Sequence, residues 1–502
     1  MGQKATKQLA FINLEKMISK KLYKILLLVL SGYIFYGCSE SPHQAEIVGN
    51  KDFVHLEKTD NIWWLVDGNG DEFISTGMNH MQENIRFAPY NNEYWAERFG
   101  QNILIDGYFN SNAQAEIKKW MEQTVKDHKD YGFTTIPFHR PLNLPDEYFE
   151  ELGIFYLGKI KTAVIHAERV KQITETAKFP DVFSNEFAAH ADKVAREYCT
   201  RHKDNKYLVG YTYEDLPSYE YTVYKMRYLR NKSTFEYHPW VADIINTEGM
   251  TLGKEVWMEI LKQHYSSPEE VLENYNLELK NWEEIAEVSV WPEPNEKEKW
   301  LIDQEEMNKR IVEQWLKTNR EVILKYDPNH LILGDKIFCH GQGHPDWVYE
   351  IAGKYVDVLL IQDYEMFTPS HVEKLKRLHR LSGKPVLNGD ASYAFTVKEQ
   401  QASKGLQVES HRAVGEEYSI YLKGIMNLPF MVGWHNCGYL EQWRGGSLDE
   451  TGKQQTGLFD PFGNPRLEAL ELIEKANRAA ISWHEKAGKA EFEYSDREMR
   501  WD

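Results

Sequence analysis

Short apolar runs alternate along this chain with longer stretches of helical spacing, and this alternation predicts the fold. The runs are rich in aromatic and β-branched residues, as buried strands are, while a segment such as 115–131 places Ile117, Trp120 and Val125 on one helical face. Strands that alternate with helices predict a parallel sheet with crossover helices. For a chain of 502 residues, the pattern is typical of an α/β protein with a (β/α)₈ barrel.

The apolar runs predict eight barrel strands. Seven of them are clear in the sequence, and each of these seven ends in polar residues. The third is the weakest and is expected near residues 160–165. The stretch between the fourth and fifth strands is far longer than one barrel unit needs, so we expect a helical insertion at about 218–300. The seven distinct strands are predicted at 73–77, 133–138, 207–215, 331–334, 356–361, 385–387 and 430–433.

Two smaller parts are expected at the ends of the barrel domain, which is predicted to span residues 51–480. Residues 53–72 predict a small N-terminal β-hairpin, because 67–70 (DGNG) is a strong turn signal after an apolar strand. The charged segment 481–502 is predicted to be a C-terminal tail with at most a loosely packed helix and strand.

Acidic residues at two strand ends are the predicted catalytic groups. The fourth strand ends in Glu214 and Asp215, and the seventh ends in Asp390. In a barrel these strand ends face each other across the mouth, where catalytic residues lie. Two carboxyl groups that flank a glycosidic bond can hydrolyse it when one is protonated and the other ionised. We therefore predict Asp215 and Asp390, with Glu214 beside them, as catalytic; capping of the next helix is the structural alternative.

Other polar and aromatic residues at the strand ends are predicted to bind substrate. Histidines on one rim can donate hydrogen bonds to sugar hydroxyls, and an indole can stack on a sugar ring. All but Glu441 also have a structural alternative, namely core packing or an ion pair, and Glu441 is a third candidate for the catalytic acid. The predicted substrate-binding residues are His80, His139, Arg140, Asp335, Asp363, Trp434, His435 and Glu441.

Composition and missing motifs narrow the function classes. A net charge of −18 argues against nucleic acid as a partner. No phosphate-binding loop is present, so no cofactor is predicted. A metal-dependent barrel hydrolase is a further alternative, but the first strand lacks a His-x-His pair and no metal is predicted. The 4 cysteines are widely spaced, which indicates neither a zinc site nor a disulfide framework.

The first 37 residues have the pattern of a lipoprotein signal peptide. Three lysines precede an apolar run at 25–30 that is too short for a membrane span, and Gly37 stands directly before Cys38. Lipidated Cys38 would begin the mature chain, and residues 38–50 would form a tether. This predicts a lipid anchor in the membrane of a bacterial cell envelope; a simple buried cysteine is the alternative.

Six strings in one order along the chain resemble agarase-like glycoside hydrolases. They are NIWWLVDGNGDEFISTG (61–77), FPDVFSNEFAAHAD (179–192), YLVGYTYEDLP (207–217), KPVLNGDASYA (384–394), VGWHNCGYLEQ (432–442) and QTGLFDPFGNP (455–465). The resemblance implies a (β/α)₈ barrel and retaining hydrolysis of galactan-type polysaccharides such as agarose or porphyran.

The chain departs from that family at both catalytic positions. The fourth strand ends in Glu214-Asp215 where better-known agarases carry Asn-Glu, and the seventh ends in Gly-Asp rather than Gly-Glu. Two shorter acids are expected to widen the gap between the carboxyl groups by about 2–3 Å in total.

The sequence therefore favours a glycoside hydrolase that cleaves a galactan-type polysaccharide or oligosaccharide, neutral or sulfated, by paired-carboxylate catalysis. Because both acids are altered, a non-catalytic surface lipoprotein that binds glycans on a barrel scaffold is the alternative.

Overall fold

The structure is a computed structural model, and it describes residues 46–500 with several gaps. The gaps are residues 84–85, 142, 166–178, 218, 220–237, 293, 342, 401, 404 and 447–455. The chain divides into two units, Met1–Glu46 and Ile47–Asp502, and only Glu46 of the first is described. The predicted signal peptide, Cys38 and most of the tether therefore lie outside the described residues.

Eight parallel strands form the predicted barrel, hydrogen-bonded in the order first, eighth, seventh, sixth, fifth, fourth, third, second. The first and second strands meet where the backbone N–H of Thr134 donates to Thr76 O at 2.9 Å. The (β/α)₈ fold class is thus confirmed. From first to eighth, the strands are Ser75–Met78, Thr135–Ile136, Phe155–Lys159, Leu208–Asp215, Leu331–Phe338, Leu359–Gln362, Val386–Ala391 and Met431–Asn436.

Two strands differ from their predicted positions in ways that matter for the site. The third lies before residues 160–165, because the apolar side chains of Ile160 and Ile165 are buried outside the sheet. The fifth continues three residues beyond Asp335, to Phe338, so that Lys336 also belongs to the strand.

The predicted N-terminal hairpin belongs to a small sheet whose strands pair antiparallel from His55 to Phe73. Its turn at 67–70 forms as expected, with Gly70 N donating to Asp67 O at 3.0 Å. The N-terminal strands are Glu46–Val48, His55–Thr59, Ile62–Val66 and Glu72–Phe73. Two further two-stranded pairs join Leu104–Ile105 with Tyr108–Phe109 and Tyr393–Ala394 with Leu406–Gln407.

Helices surround the barrel, and four of them, α5 to α8, form the predicted insertion between the fourth strand and the long helix α9. No helix among the described residues is long and apolar enough to cross a membrane. The α-helices are α1 (Asn92–Phe99), α2 (Gln114–Asp130), α3 (Glu147–Glu151), α4 (Asn185–His202), α5 (Pro239–Ile245), α6 (Leu252–His264), α7 (Pro268–Asn274), α8 (Trp282–Ala286), α9 (Lys297–Tyr326), α10 (Asp346–Tyr355), α11 (Pro369–Ser382), α12 (His411–Met426) and α13 (Leu467–His484).

The C-terminal segment is tied to the barrel more closely than predicted. Helix α13 runs across the predicted boundary at 480, and the buried ring of His484 lies 2.9 Å from Trp63 O. Further on, Ser495 N donates to Phe367 O at 2.9 Å, and Arg497 pairs with Glu409. The tail therefore packs on the barrel domain through specific polar contacts.

Gly210 allows the fourth and fifth strands to approach each other. A Cβ added there would lie 2.3 Å from Leu331 O and 2.6 Å from Leu333 Cδ1, so the strands would have to move apart. We expect Gly210→Ala to lower the free energy of unfolding by about 2–3 kcal/mol in chemical denaturation. Gly70→Ala is the control, because no atom lies within 4 Å of its added Cβ. Its φ of 91° is the unfavourable feature for alanine, and we expect it to lower the free energy of unfolding by about 1 kcal/mol. Equal losses in the two variants would contradict this account.

Candidate active site

The alternation of side chains along each strand sorts the polar residues at the barrel mouth. Neighbouring residues on a strand point to opposite faces, so one faces the barrel axis and the next faces the surrounding helices. On the fifth strand, Lys336 faces the axis and contacts Asp390 of the seventh strand, while Asp335 contacts Trp315 of α9. Only the inward-facing residues of each pair can therefore meet at the mouth.

Lys336 is the centre of the inward-facing cluster. Its Nζ lies 2.6 Å from Asp390 Oδ2, 3.1 Å from Asp215 Oδ1 and 3.0 Å from His139 Nε2. His139 Nε2 in turn lies 3.2 Å from Asp215 Oδ2 and 3.5 Å from Asp390 Oδ2. The structure thus brings together Asp215 of the fourth strand, Asp390 of the seventh and His139, three residues after the second, around a lysine that the sequence did not predict.

The two aspartates face each other at short range. Because both have an oxygen within 3.1 Å of Lys336 Nζ, those oxygens are at most about 6 Å apart, which is short enough for the two carboxyl groups to flank one glycosidic bond. The ammonium group of Lys336 lies between the two acids, and the wider gap relative to the agarases stays a prediction.

Bulges in the fourth and seventh strands set the direction of the two acids. On the fourth strand Thr212 pairs with Gly334 and Asp215 with Lys336, so one extra residue lies between the two pairs; the seventh strand has the same irregularity before Ala391. A bulge bends the strand and redirects its side chains. Leu216, directly after Asp215, has a φ of 48°, a rare conformation for a bulky residue.

The electrostatic environment of the cluster keeps Asp215, Asp390 and Lys336 in their charged forms. Burial would raise the pKa of Asp215, but Lys336 and His139 outweigh it and hold that pKa well below its ordinary value. The pKa of Asp390 is also lowered, because Lys336, His139 and His80 outweigh burial. Burial would lower the pKa of Lys336, yet the two carboxylates raise it. Both aspartates are therefore ionised at neutral pH.

His80 and Asn79, at the end of the first strand, extend the cluster. The His80 ring stacks on His139, with centroids 4.2 Å apart, and its Nε2 lies 4.0 Å from Asp390 Oδ2. His80 has a φ of 61°, and buried Arg86 holds its carbonyl with a 2.8 Å bond from Nε. Asn79 Nδ2 donates to Asp390 Oδ1 at 3.3 Å. A strained residue held in place at the mouth is typical of a functional site.

Two lysines and Glu214 line the third-strand side of the mouth. Lys161 Nζ lies 3.3 Å from Glu214 Oε2, and Lys159 Nζ lies 3.8 Å from the ring centroid of Phe138. Burial lowers the pKa of Lys159 to about 7, although Asp215 and Glu214 oppose the shift. Glu214 is therefore next to the cluster without joining it.

Asp335 and Asp363 lie behind the strands, away from the cluster. Asp335 accepts hydrogen bonds from Tyr219 OH, from Trp315 Nε1 at 2.8 Å and from Glu214 N at 2.8 Å. Asp363 accepts from Lys374 Nζ of α11 at 2.7 Å. Burial raises the pKa of Asp335 to about 7 and that of Asp363 to about 6. Protein groups bind both carboxyls, and the structure does not bring either one to the mouth.

On the eighth strand, too, one residue faces the surrounding helices and the next faces the barrel interior. Trp434 is fully buried against α12, with ring centroids 4.3 Å from Tyr418 and 4.6 Å from Tyr421. His435 faces the barrel interior, where its Nε2 lies 2.9 Å from Ser75 Oγ. Burial lowers the pKa of His435 to about 3, so the ring is neutral.

Arg140 and Glu441 are held in ion pairs outside the cluster. Arg140 Nε donates to Asp146 Oδ1 at 3.0 Å. Glu441 accepts from Arg466 Nε at 2.7 Å and from Trp443 Nε1 at 2.9 Å. For Arg140 this is the alternative weighed from the sequence, a pairing with an acid, whereas the ion pair of Glu441 was not predicted.

Sequence reasoning missed Lys336 and Lys159 for two different reasons. The fifth strand was expected to end at Asp335, so the next residue was not considered to face the axis. Had that strand been extended, its two-residue alternation would have placed Lys336 opposite to Asp335. Lys159 ends the third strand, whose position was not recognised.

One group of described residues has the spacing of a metal site. Ligand atoms of His80, Asp390 and Cys437 lie within 4.8 Å of one another. Two features oppose metal binding. Lys336 already forms an ion pair with Asp390 at 2.6 Å, and burial raises the pKa of the Cys437 thiol, which disfavours the thiolate that a metal needs.

Comparisons with known proteins agree with the barrel. β-Agarase B of Vibrio sp. (strain JT0107) is 20% identical over 478 residues, which cover 85% of this chain and 48% of that protein. The crystal structure of the agarase AgWH50C has a TM-score of 0.65 at 16% identity, over 88% of this chain and 66% of that one. The structure of an exo-β-agarase also has a TM-score of 0.65, at 17% identity, and the match covers 87% of this chain and 66% of that one. The chain has the fold of the agarases.

The agarase resemblance found in the six strings is thus confirmed, and the agarase fold covers most of the chain. No protein-family model matches the sequence. The chain spans about half the length of β-agarase B and about two thirds of the two solved agarases.

Lys336→Met would remove the ammonium group that both aspartates share. We expect the free energy of unfolding at pH 7 to fall by about 3–5 kcal/mol, because buried Asp390 and partly buried Asp215 both lose the ammonium group they share. Their pKa values are lower in the folded chain than the ordinary value of about 3.9. In the unmodified chain, the stabilisation that Lys336 provides is therefore fully present above about pH 4. It fades as the pH falls through the pKa values that the two aspartates have in the folded chain. Urea denaturation between about pH 3 and pH 8 should show the largest deficit at neutral pH.

Lys354→Met is the control, because its ion pair with Glu313 is exposed and contributes less than about 1 kcal/mol. Adding Asp390→Asn to Lys336→Met should restore part of the loss, since one uncompensated charge is removed. A deficit that does not change with pH would contradict the electrostatic account.

Proposed function

We propose that this chain is a glycoside hydrolase that cleaves a galactan-type polysaccharide or oligosaccharide, neutral or sulfated. The observation that carries the proposal is the close approach of Asp215 and Asp390 at the barrel mouth. Their spacing suits two carboxyl groups that flank one glycosidic bond. The similar proteins are agarases, which supports a galactan as the substrate.

The surroundings of the two acids suggest different roles. Asp390 is 4% exposed and ionised, with Lys336, Asn79 and Tyr364 around its oxygens, which suits a nucleophile. Asp215 is 23% exposed and closer to solvent, which suits the acid and base. Asp215 must gain a proton before it can act as the acid, and its partly exposed carboxyl group can take that proton from solvent.

In the proposed first step, Asp390 forms a bond to the anomeric carbon while the glycosidic bond breaks. The leaving oxygen takes the proton of Asp215. In the second step, Asp215 removes a proton from water, the water oxygen bonds to the anomeric carbon, and the Asp390 carboxylate leaves. The net reaction adds one water molecule across the glycosidic bond.

Lys336 also favours a second candidate function, that of a non-catalytic glycan-binding lipoprotein. Its ammonium group bridges the gap between the two acids and keeps both ionised in the free chain. An ionised carboxylate cannot protonate a leaving group. A barrel with this arrangement can still bind a glycan at its mouth without cleaving it.

Asp215→Asn and Asp390→Asn are each expected to lower turnover at least about a hundredfold, because each removes a group that takes part in bond cleavage. Reducing-sugar release from a panel of agarose, porphyran and other algal and plant polysaccharides measures the effect, and the melting temperature shows that each variant folds. Asp192→Asn, on the surface of α4 and paired with Lys325, is the control and should keep full activity.

The same panel separates the alternatives. Full activity in either aspartate variant would reject the assignment. If the unmodified chain binds a polysaccharide but releases no reducing sugar, the glycan-binding function is favoured. Loss of release in the presence of a chelator would indicate a metal-dependent hydrolase.

We also propose that Cys38 carries a lipid that anchors the chain in a bacterial cell envelope. The basic, apolar and Gly-Cys pattern of residues 1–38 supports this. Cys38→Ser is expected to move the protein from the membrane fraction to the soluble fraction and to abolish incorporation of labelled fatty acid. Ser39→Ala is the control, and an unmodified chain without lipid would contradict the proposal.

A further inference from the structure

At the third-strand side of the barrel mouth, Lys159 has no carboxylate partner among the described residues, whereas the neighbouring lysines do. Lys336 pairs with Asp215 and Asp390, and Lys161 pairs with Glu214. In the part of the chain that the structure describes, no carboxylate oxygen lies within 4.0 Å of Lys159 Nζ. The ammonium group of Lys159 is therefore the cation that remains for a ligand.

Lys159 is placed where a substrate at the mouth can reach it. It is the last residue of the third barrel strand and is half-buried. Its Nζ lies 3.8 Å from the Phe138 ring centroid, and Lys336 Nζ lies 5.1 Å from the same centroid. The two ammonium groups are thus at most about 9 Å apart across one aromatic ring. A glycan bound at the aspartates would pass beside Lys159.

The surroundings of Lys159 favour an anionic partner. Burial lowers its pKa to about 7 against the opposing charges of Asp215 and Glu214, while Lys161 and Arg140 add to the lowering. The face of the Phe138 ring attracts the ammonium group but accepts no conventional hydrogen bond from it. A partly buried ammonium without a carboxylate is unfavourable, and a bound anion would supply a partner.

We propose that Lys159, with Lys161 beside it, binds an anionic substituent on a sugar next to the bond that Asp215 and Asp390 would cleave. The substituent is an oxyanion, either a sulfate ester or the carboxylate of a uronic acid. Lys161 follows the end of the strand by two residues, and its ion pair with Glu214 holds it at the same side of the mouth as Lys159. The link to cleavage rests on the proposed function, whereas the anion site itself does not require hydrolysis.

Binding to matched oligosaccharides tests the proposal. The probes are a sulfated galactan oligosaccharide, its chemically desulfated form and an oligogalacturonide, titrated by calorimetry into the full chain carrying Asp215→Asn so that the ligand survives. Lys159→Met is expected to weaken binding of the sulfated or the uronate probe at least about tenfold, with less than a twofold change for the desulfated form. The probe that loses affinity identifies the anion.

Lys159→Arg should keep most of the affinity, because it preserves the positive charge, and it serves if the methionine variant folds poorly. Lys376→Met, on the exposed surface of α11, is the matched control and should change no affinity. Equal losses for the sulfated and desulfated probes would show a structural role and would overturn the proposal.

A second measurement needs no glycan. Reductive methylation with a carbon-13 label gives each lysine an NMR signal, and the signal absent from Lys159→Arg identifies Lys159. We expect it to titrate near pH 7 and to titrate at higher pH when inorganic sulfate is added, because the anion favours the charged amine. No change with sulfate would exclude the sulfate ester, and no change with acetate as well would overturn the anion site. A sulfate-dependent shift in a chain that cleaves no polysaccharide would reject the hydrolase proposal and leave the anion site standing.

Discussion

The ammonium group of Lys336, enclosed between Asp215 and Asp390, is the interaction on which the mouth of this barrel depends. Three charges are taken out of water there, and each is tolerated only because its neighbours carry the opposite charge at hydrogen-bond distance. The ammonium lowers the pKa of both carboxyl groups, and the carboxylates raise the pKa of the lysine. The same contact that makes the cluster stable therefore determines which proton transfers it can perform.

The barrel supplies the rigid frame that this cluster needs. Three strands each contribute one side chain, the loop after the second strand contributes His139, and bulges next to Asp215 and Asp390 direct the two acids inward. Strained backbone at His80 and Leu216 surrounds the site, and buried Arg86 holds the first of these in place. Behind the strands, Asp335 and Asp363 bond to helix residues and link the strand ends to the outer layer. The polar residues of the mouth thus divide into an inner group that faces the barrel axis and an outer group that fixes the strands.

The functional interpretation follows from this division. Paired carboxylates at the ends of the fourth and seventh strands, in a fold shared with agarases, support a glycoside hydrolase. The bridging lysine is what distinguishes this mouth from an open pair of acids, and it is the reason that glycan binding without cleavage is a serious alternative. Lys159, left without a carboxylate at the third strand, adds a preference for an anionic sugar to either function.

Much of the architecture was determined by the sequence itself. The alternation of apolar runs and helical spacing predicted the (β/α)₈ barrel, the hairpin and the insertion, because burial of one face imposes a period on each element. The same pattern placed Asp215, Asp390, His80 and His139 at strand ends. It could not say which of two neighbouring polar residues faces the axis, because that choice depends on where a strand ends and where a bulge lies. Only the tertiary structure, through contacts between residues distant in the chain, decided that Lys336 joins the two aspartates and that Asp335, Asp363 and Trp434 face the helices.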